Sequence, residues 1–168
     1  HVILSEMEVY GTGGVTLKAQ NQPQAEDGKM YLTRGRWRIQ RAPQTDADGK
    51  ELSTTGFDDQ AWLPATVPGT VASSYFNAGA IADIRYDDDQ LQISESWFYS
   101  DFWYRNEFEI PDDFAGKTLI LNFDGINWKA DVYVNGTHAG RIDGAFTRGK
   151  FDITDLVKAG ETAALAVR

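Results

Sequence analysis

The chain has no cysteine, and only two histidines and two methionines, among its 168 residues. The first absence excludes disulfides, thiolate metal sites and cysteine nucleophiles together, and leaves the redox compartment open. Histidine is nearly as scarce. A Ser-His-Asp triad needs a positioned imidazole and a catalytic zinc site needs three ligands, which His1 at the terminus and His138 just past a hairpin turn do not supply. His138 reads as a solvated loop residue, and no metal or other cofactor is expected. Positive charge is also short: 16 Lys plus Arg stand against 25 Asp plus Glu, leaving −9 with histidine neutral. Nucleic-acid binding relies on clustered cations that release counterions, so this acidic surface argues against it. No run approaches the ~20 apolar residues that span a bilayer. The opening His1-Val2-Ile3-Leu4 is too short for a signal peptide and lacks its charged start.

What is present is aromatic. Five Trp, seven Tyr and nine Phe make up 12% of the chain, and they recur beside β-branched and turn-forming residues, which favours sheet. The length matches one ordinary domain. Residues 1–29 read as lead-in strands around the Gly11-Thr12-Gly13-Gly14 turn, or the edge of an upstream segment, and residues 30–168 as the domain proper. No Lys-Ser/Thr pair follows those glycines, so a hairpin turn fits better than a phosphate loop. Trp37 to Gln40 forms a strand, and Thr54 to Ala61 is the best candidate for a helical turn; Trp62 to Val71 reads as extended, interrupted by Pro64 and Pro68. In Phe102 to Ile110, one face collects Phe102, Tyr104, Phe108 and Ile110 while Arg105, Glu107 and Glu109 fall on the other, a half-buried strand pattern. Leu119, Leu121 and Phe123 alternate likewise, as do Ala130, Val132 and Val134, before the Asn135-Gly136 pair favoured in a type I′ hairpin. Phe151 to Ile153 and Ala163 to Val167 complete the strands. Short strands between turn signals, with no long amphipathic helix, predict an all-β fold, an antiparallel β-sandwich. The expected core is Trp37, Phe102, Tyr104, Leu121, Phe123, Val132 and Val134, with Trp97 and Trp128 at the surface. Alternation puts Trp103 opposite the core set. The chain stops directly after a strand, as a piece cut from something longer does.

Carboxylate pairs carry little information in so acidic a chain. Asn106-Glu107 matches the dipeptide that bears the acid/base carboxylate of many β-glycosidases. Within an alternating strand, opposite Phe102 and Tyr104, it reads instead as solvent-facing and structural. Asp46, Asp48 and Gly49 have the opening spacing of a calcium loop but lack its closing Glu. Asn135-Gly136-Thr137 also spells a glycosylation acceptor, which the hairpin already accounts for. The most informative run is Asp83 to Gln90, where Asp83, Arg85, Tyr86 and Asp89 precede Trp97, Phe98 and Tyr99. Carboxylates accept from sugar hydroxyls and aromatic rings pack on pyranose C–H faces, so this mixture suits a sugar. A solvated acidic loop over an aromatic core fits the same composition, and a cation on Asp87 to Asp89 is a further alternative.

In order and spacing, Val67-Pro68-Gly69-Thr70-Val71, Phe102-Trp103-Tyr104-Arg105 with Phe108, Phe123-Asp124-Gly125-Ile126-Asn127-Trp128-Lys129-Ala130-Asp131-Val132-Tyr133-Val134-Asn135-Gly136, Gly140, and Phe151-Asp152-Ile153-Thr154 resemble the N-terminal sugar-binding domain of glycoside hydrolase family 2. The resemblance covers about residues 30–168 and is greatest to exo-β-glucosaminidase-like and β-mannosidase-like members. It implies a jelly roll of the galactose-binding-like type, ahead of an immunoglobulin-like domain and a (β/α)8 barrel that carries both catalytic glutamates of a retaining exo-β-glycosidase. Such a barrel takes ~250 residues, so no catalytic residue is expected here. The implied partners are a terminal β-linked sugar and those two domains. In the family a loop with an Asp-Pro-x-Tyr-type motif and a nearby Asn helps shape the sugar pocket. Asp83 and Tyr86 match it, whereas Ile84 replaces the Pro and Asp89 stands at the Asn position. The sugar-binding candidates are therefore Asp83, Arg85, Tyr86, Asp89, Trp97 and Trp128. An autonomous carbohydrate-binding module and a purely structural buttress are the rival readings. Polysaccharide-degrading bacterial enzymes are often exported, which implies a periplasmic or secreted location.

Overall fold

A computed structural model of the protein describes residues 2–3, 25–83, 91 and 93–168. In chain order its strands are β1 (Val2–Ile3), β2 (Ala25–Glu26), β3 (Lys29–Met30), β4 (Arg38–Arg41), β5 (Leu63–Pro64), β6 (Phe102–Glu109), β7 (Ile120–Gly125), β8 (Lys129–Val134), β9 (Thr137–Asp143), β10 (Gly149–Asp152) and β11 (Thr162–Val167). The short helices α1 (Gly49–Leu52) and α2 (Val71–Asn77) are among the described residues between β4 and β6. The larger sheet has the order β5-β4-β6-β11-β8-β9 and every neighbouring pair in it is antiparallel. The smaller sheet, β1-β7-β10, pairs β10 antiparallel and β1 parallel to β7, and β2 and β3 form a separate hairpin. The glycine-rich lead-in at Gly11 to Gly14 lies outside the described residues.

The two sheets are held together by the apolar face that alternation predicts. Trp37, Ile39, Phe102, Tyr104, Phe108, Val132 and Leu165 from the larger sheet and its approaches share one buried cluster with Leu121, Phe123 and Ile153. Each such large side chain contributes about 1.5–3 kcal/mol on burial. The Trp37 indole N–H does not go unpaired there: it donates to the Leu32 carbonyl at 2.7 Å. Asn135 and Gly136 take φ of 45° and 79°, the positive pair that a tight β8–β9 hairpin needs.

The simple alternation fails where a second layer covers the outer face of the larger sheet. There α1 and the chain leading to β5 bury Leu52, Trp62, Trp103 and Ala166 as a separate cluster. Trp103 is therefore core after all, on the opposite side of its strand. Burial of both faces also corrects the solvent-facing reading of Asn106-Glu107. Asn106 is 1% exposed on the inner face, and Glu107 is half-buried outside. Arg105, expected to be solvated, is 2% exposed. Its guanidinium is fully engaged: Nε donates to the Leu52 carbonyl at 2.8 Å, Nη2 to the Thr54 carbonyl at 2.8 Å, and the group pairs with Asp59 and Glu107. Glu107 in turn accepts from the Gly56 N–H at 2.8 Å. A buried charge needs this degree of pairing, and the result clasps residues 52–59 onto the sheet.

Local capping shifts the helices away from where the sequence reading puts them. Thr54 to Ala61 is turns and irregular chain, whereas α1 starts earlier, because the Asp48 side chain accepts from the N–H groups of Lys50 and Glu51 at 2.9 Å each. That capping role is what the Asp48-Gly49 spacing encodes. Val71, read as extended, instead opens α2, where Thr70 and Ser73 form a reciprocal capping box. His138 lies on strand β9, against the Tyr133 ring and 3.2 Å from the Asp131 carboxylate, and so is not a loop residue.

Candidate functional site

One end of the larger sheet gathers the beginnings of β6 and β8 and the ends of β4 and β11. Arg41 stands opposite Phe102, Val167 opposite Val132, and Asp131 and Arg168 exchange both backbone hydrogen bonds at 2.9 and 3.1 Å. A cleft of about 530 Å³ opens at this end, walled by Thr70, Asp101, Trp128, Asp131, Arg141 and Arg168. Its size falls in the range of small-ligand sites.

Trp128 sits in the turn between β7 and β8 with φ +80° and 64% of its surface exposed. A left-handed backbone at a tryptophan costs on the order of 1 kcal/mol. The turn is fixed in place by the Gly144 N–H, which donates to the Trp128 carbonyl at 2.7 Å. The Lys129 ammonium lies 4.7 Å from the indole centroid, and it also approaches Asp143 at 3.6 Å. Polar groups flank the ring in fixed pairs. Asp131 receives Arg141 at 3.3 Å and His138 at 3.2 Å, and Arg168 pairs with Asp101 at 3.0 Å while lying 5.9 Å over Trp103. Deeper in the cleft, burial pushes the Tyr104 hydroxyl well above the ordinary tyrosine range, against a hydrogen bond with Ser74. Burial likewise raises Tyr75, opposed by the charge of Arg41. Both phenols stay neutral at physiological pH and act as packing and hydrogen-bonding groups. An open indole face beside carboxylates and guanidinium groups is able to stack on an apolar ring face while exchanging hydrogen bonds with hydroxyls around it.

The sequence-predicted residues divide. Trp128 lines the cleft. Trp97 is 42% exposed, packs edge-to-face on Tyr75 at 5.8 Å and is not part of the cleft wall. Its 3-10 turn is tied to the same end of the sheet by Arg41, which donates to the Ser96 carbonyl at 3.3 Å. Asp83 is half-buried, and Arg85, Tyr86 and Asp89 lie outside the described residues. Asp101, Asp131, Arg141 and Arg168 were missed by the sequence reading. The signal for two of them was incomplete: the Asn135-Gly136 turn alone would set Gly140 opposite Asp131, and a bulge between Val132 and Tyr133 shifts the register by one so that Arg141 stands there instead.

The family profile described as the glycosyl hydrolase 2 galactose-binding domain-like domain matches residues 37–168. Among curated relatives, an exo-β-D-glucosaminidase of Streptomyces avermitilis is 33% identical over 125 residues, covering 73% of this chain and 14% of its own length. A β-mannosidase of Rattus norvegicus is 33% identical over 133 residues, 78% of this chain and 13% of its own. Among solved structures, the exo-chitosanase CsxA of Amycolatopsis orientalis aligns with a TM-score of 0.72 and 30% identity, over 80% of this chain and 16% of that one. The chain thus spans about one-seventh of the length of the relatives it matches.

Proposed function

The chain belongs to the galactose-binding-like domains of glycoside hydrolase family 2, and from that membership we propose that it is the non-catalytic, sugar-contacting domain of a longer, exported glycosidase. In this reading the parent enzyme removes a terminal sugar from a β-linked glycan. The relatives named an exo-β-D-glucosaminidase and a β-mannosidase support a β-glycoside as the substrate class. The reacting carboxylates belong to a downstream barrel, and residues 30–168 supply one wall of the pocket. A rigid sheet suits that task, because a contact built on strands is held more firmly than one built on free loops.

The carrying observation is the exposed Trp128 indole, held at a fixed turn beside paired carboxylates and guanidinium groups in an open cleft. Its role is binding. Trp128→Ala in the parent enzyme is expected to raise KM for a β-linked disaccharide by about threefold to tenfold with kcat nearly unchanged, as removal of uniform binding does. Trp128→Phe should recover part of the loss. An unchanged KM would favour the buttress reading. Millimolar or tighter oligosaccharide binding by the 168-residue chain alone would favour an autonomous module.

A further inference from the structure

We propose that Phe146, at the turn between β9 and β10, is the anchor through which this domain docks onto the remainder of the longer polypeptide. Phe146 is fully open to solvent, at 102% exposure, and its backbone φ is +67°. Two penalties fall on that residue. A phenyl ring in water forgoes burial, and a left-handed backbone disfavours any side chain with a Cβ, bulky ones most of all. Glycine would escape both, as the neighbouring Gly144 at φ +133° illustrates. An apolar ring held on a fixed turn, with little freedom left to lose, is the form that interface anchors take.

The surroundings match an interface and not a ligand pocket. The turn is bound to its neighbour by the Gly144 N–H to Trp128 carbonyl bond, and it is flanked by the Lys129–Asp143 pair at 3.6 Å and the Arg148–Asp124 pair at 3.9 Å. In a chain of net charge −9 these pairs balance locally and form a polar rim beside the exposed rings of Phe146 and Trp128, and a polar rim around an apolar centre is how interfaces are built. Phe146 is not part of the cleft wall, and a convex tip gathers no polar groups around a sugar. The occupant is the parent chain itself. The exo-β-D-glucosaminidase relative is matched over only 14% of its length, so the family offers a large partner in cis. Arg168 is hydrogen-bonded to Asp131 of β8, and Asp143 at the end of β9 pairs with Lys129 at the start of β8, so Arg168 and the β9–β10 turn lie at the same end of the larger sheet. Covalent linkage supplies a high effective concentration, so a small contact suffices.

This inference rests on the reading of the chain as one domain of a longer hydrolase, and hydroxyl-radical footprinting of the full parent protein tests the two apart. Tyr99, 84% exposed, serves as the open reference. After correction for intrinsic reactivity, Phe146 is expected to react at least about fivefold more slowly than Tyr99, because docked anchors exclude water. That protection should survive dilution and should not depend on added β-linked oligosaccharide. Reactivity equal to that of Tyr99 overturns the proposal. Protection lost on dilution points to a second copy, and protection that appears only with sugar points to a ligand; either also overturns it. Trp128 is read in the same experiment: if sugar leaves it unprotected while Phe146 is shielded, the sugar reading fails and the docking reading stands. Phe146→Ser in the parent should separate melting of this domain from that of the rest, and unchanged co-melting counts against docking.

Discussion

Arg105 shows how one residue fixes the neighbourhood of a strand. Its guanidinium reaches two backbone carbonyls and two carboxylates while remaining 2% exposed. Replacing it with Met would leave Asp59 and Glu107 facing each other with only the exposed Arg36, 3.8 Å from Asp59, as counter-charge. Removing one partner from a buried charge pair costs about 3–5 kcal/mol, so Arg105→Met is expected to destabilise the fold by that order, measured by urea denaturation. Adding Asp59→Asn should recover part of the loss. Tyr104 yields a prediction that depends on pH. Its folded-state pKa lies above the unfolded value near 10, so its stability contribution is complete below that value and is lost as pH rises above it. Relative to wild type, Tyr104→Phe should therefore gain roughly 1 kcal/mol of stability between pH 8 and pH 11, read from denaturation curves at the two pH values. A pH-independent difference would mean that the phenol ionises equally in both states.

Among the elements, α1 carries the lesson about what the sequence makes legible. Its first residue, Gly49, packs so closely on Tyr133 that an added Cβ would meet the ring at 2.4 Å. Gly49→Ala should cost about 1–3 kcal/mol through overpacking, visible as a lowered melting temperature, although alanine is the better helix former. Strands β6, β7, β8 and β11 and the β8–β9 hairpin could be read directly, because alternation and Asn-Gly turn chemistry are local signals. The outer layer could not. Its burial of Trp103 depends on contacts between α1 and strands far away in the chain, and periodicity within β6 carries no trace of that cover. The same reason explains Arg105, which looks solvated in a two-face pattern and is enclosed in a three-layer one, whereas Asn106 is buried on the inner face between the sheets. At the cleft, Trp128 was legible as a surface aromatic, whereas Arg141 and Arg168 became site residues only once register and sheet order were known. The loop residues Arg85, Tyr86 and Asp89 lie outside the described residues and rest on the residue mixture of their run, with the resemblance bearing on Tyr86 and Asp89 only.

At the scale of the whole molecule, an all-β sandwich of the galactose-binding-like type presents one end for contact. That end carries the Trp128 cleft, the Trp97 turn and the neighbouring Phe146 tip. Its concave part suits a sugar and its convex part suits protein. The chain spans 14% of the length of its exo-β-D-glucosaminidase relative, and the proposed reading assigns the reacting groups to another part of the parent enzyme. The most direct measurement is a crystal structure of the parent enzyme with a non-hydrolysed β-linked sugar in its pocket. The account predicts a pyranose C–H face within about 4 Å of the Trp128 ring, the distance of apolar contact. A fully occupied sugar with the Trp128 indole bare and facing bulk solvent would contradict it.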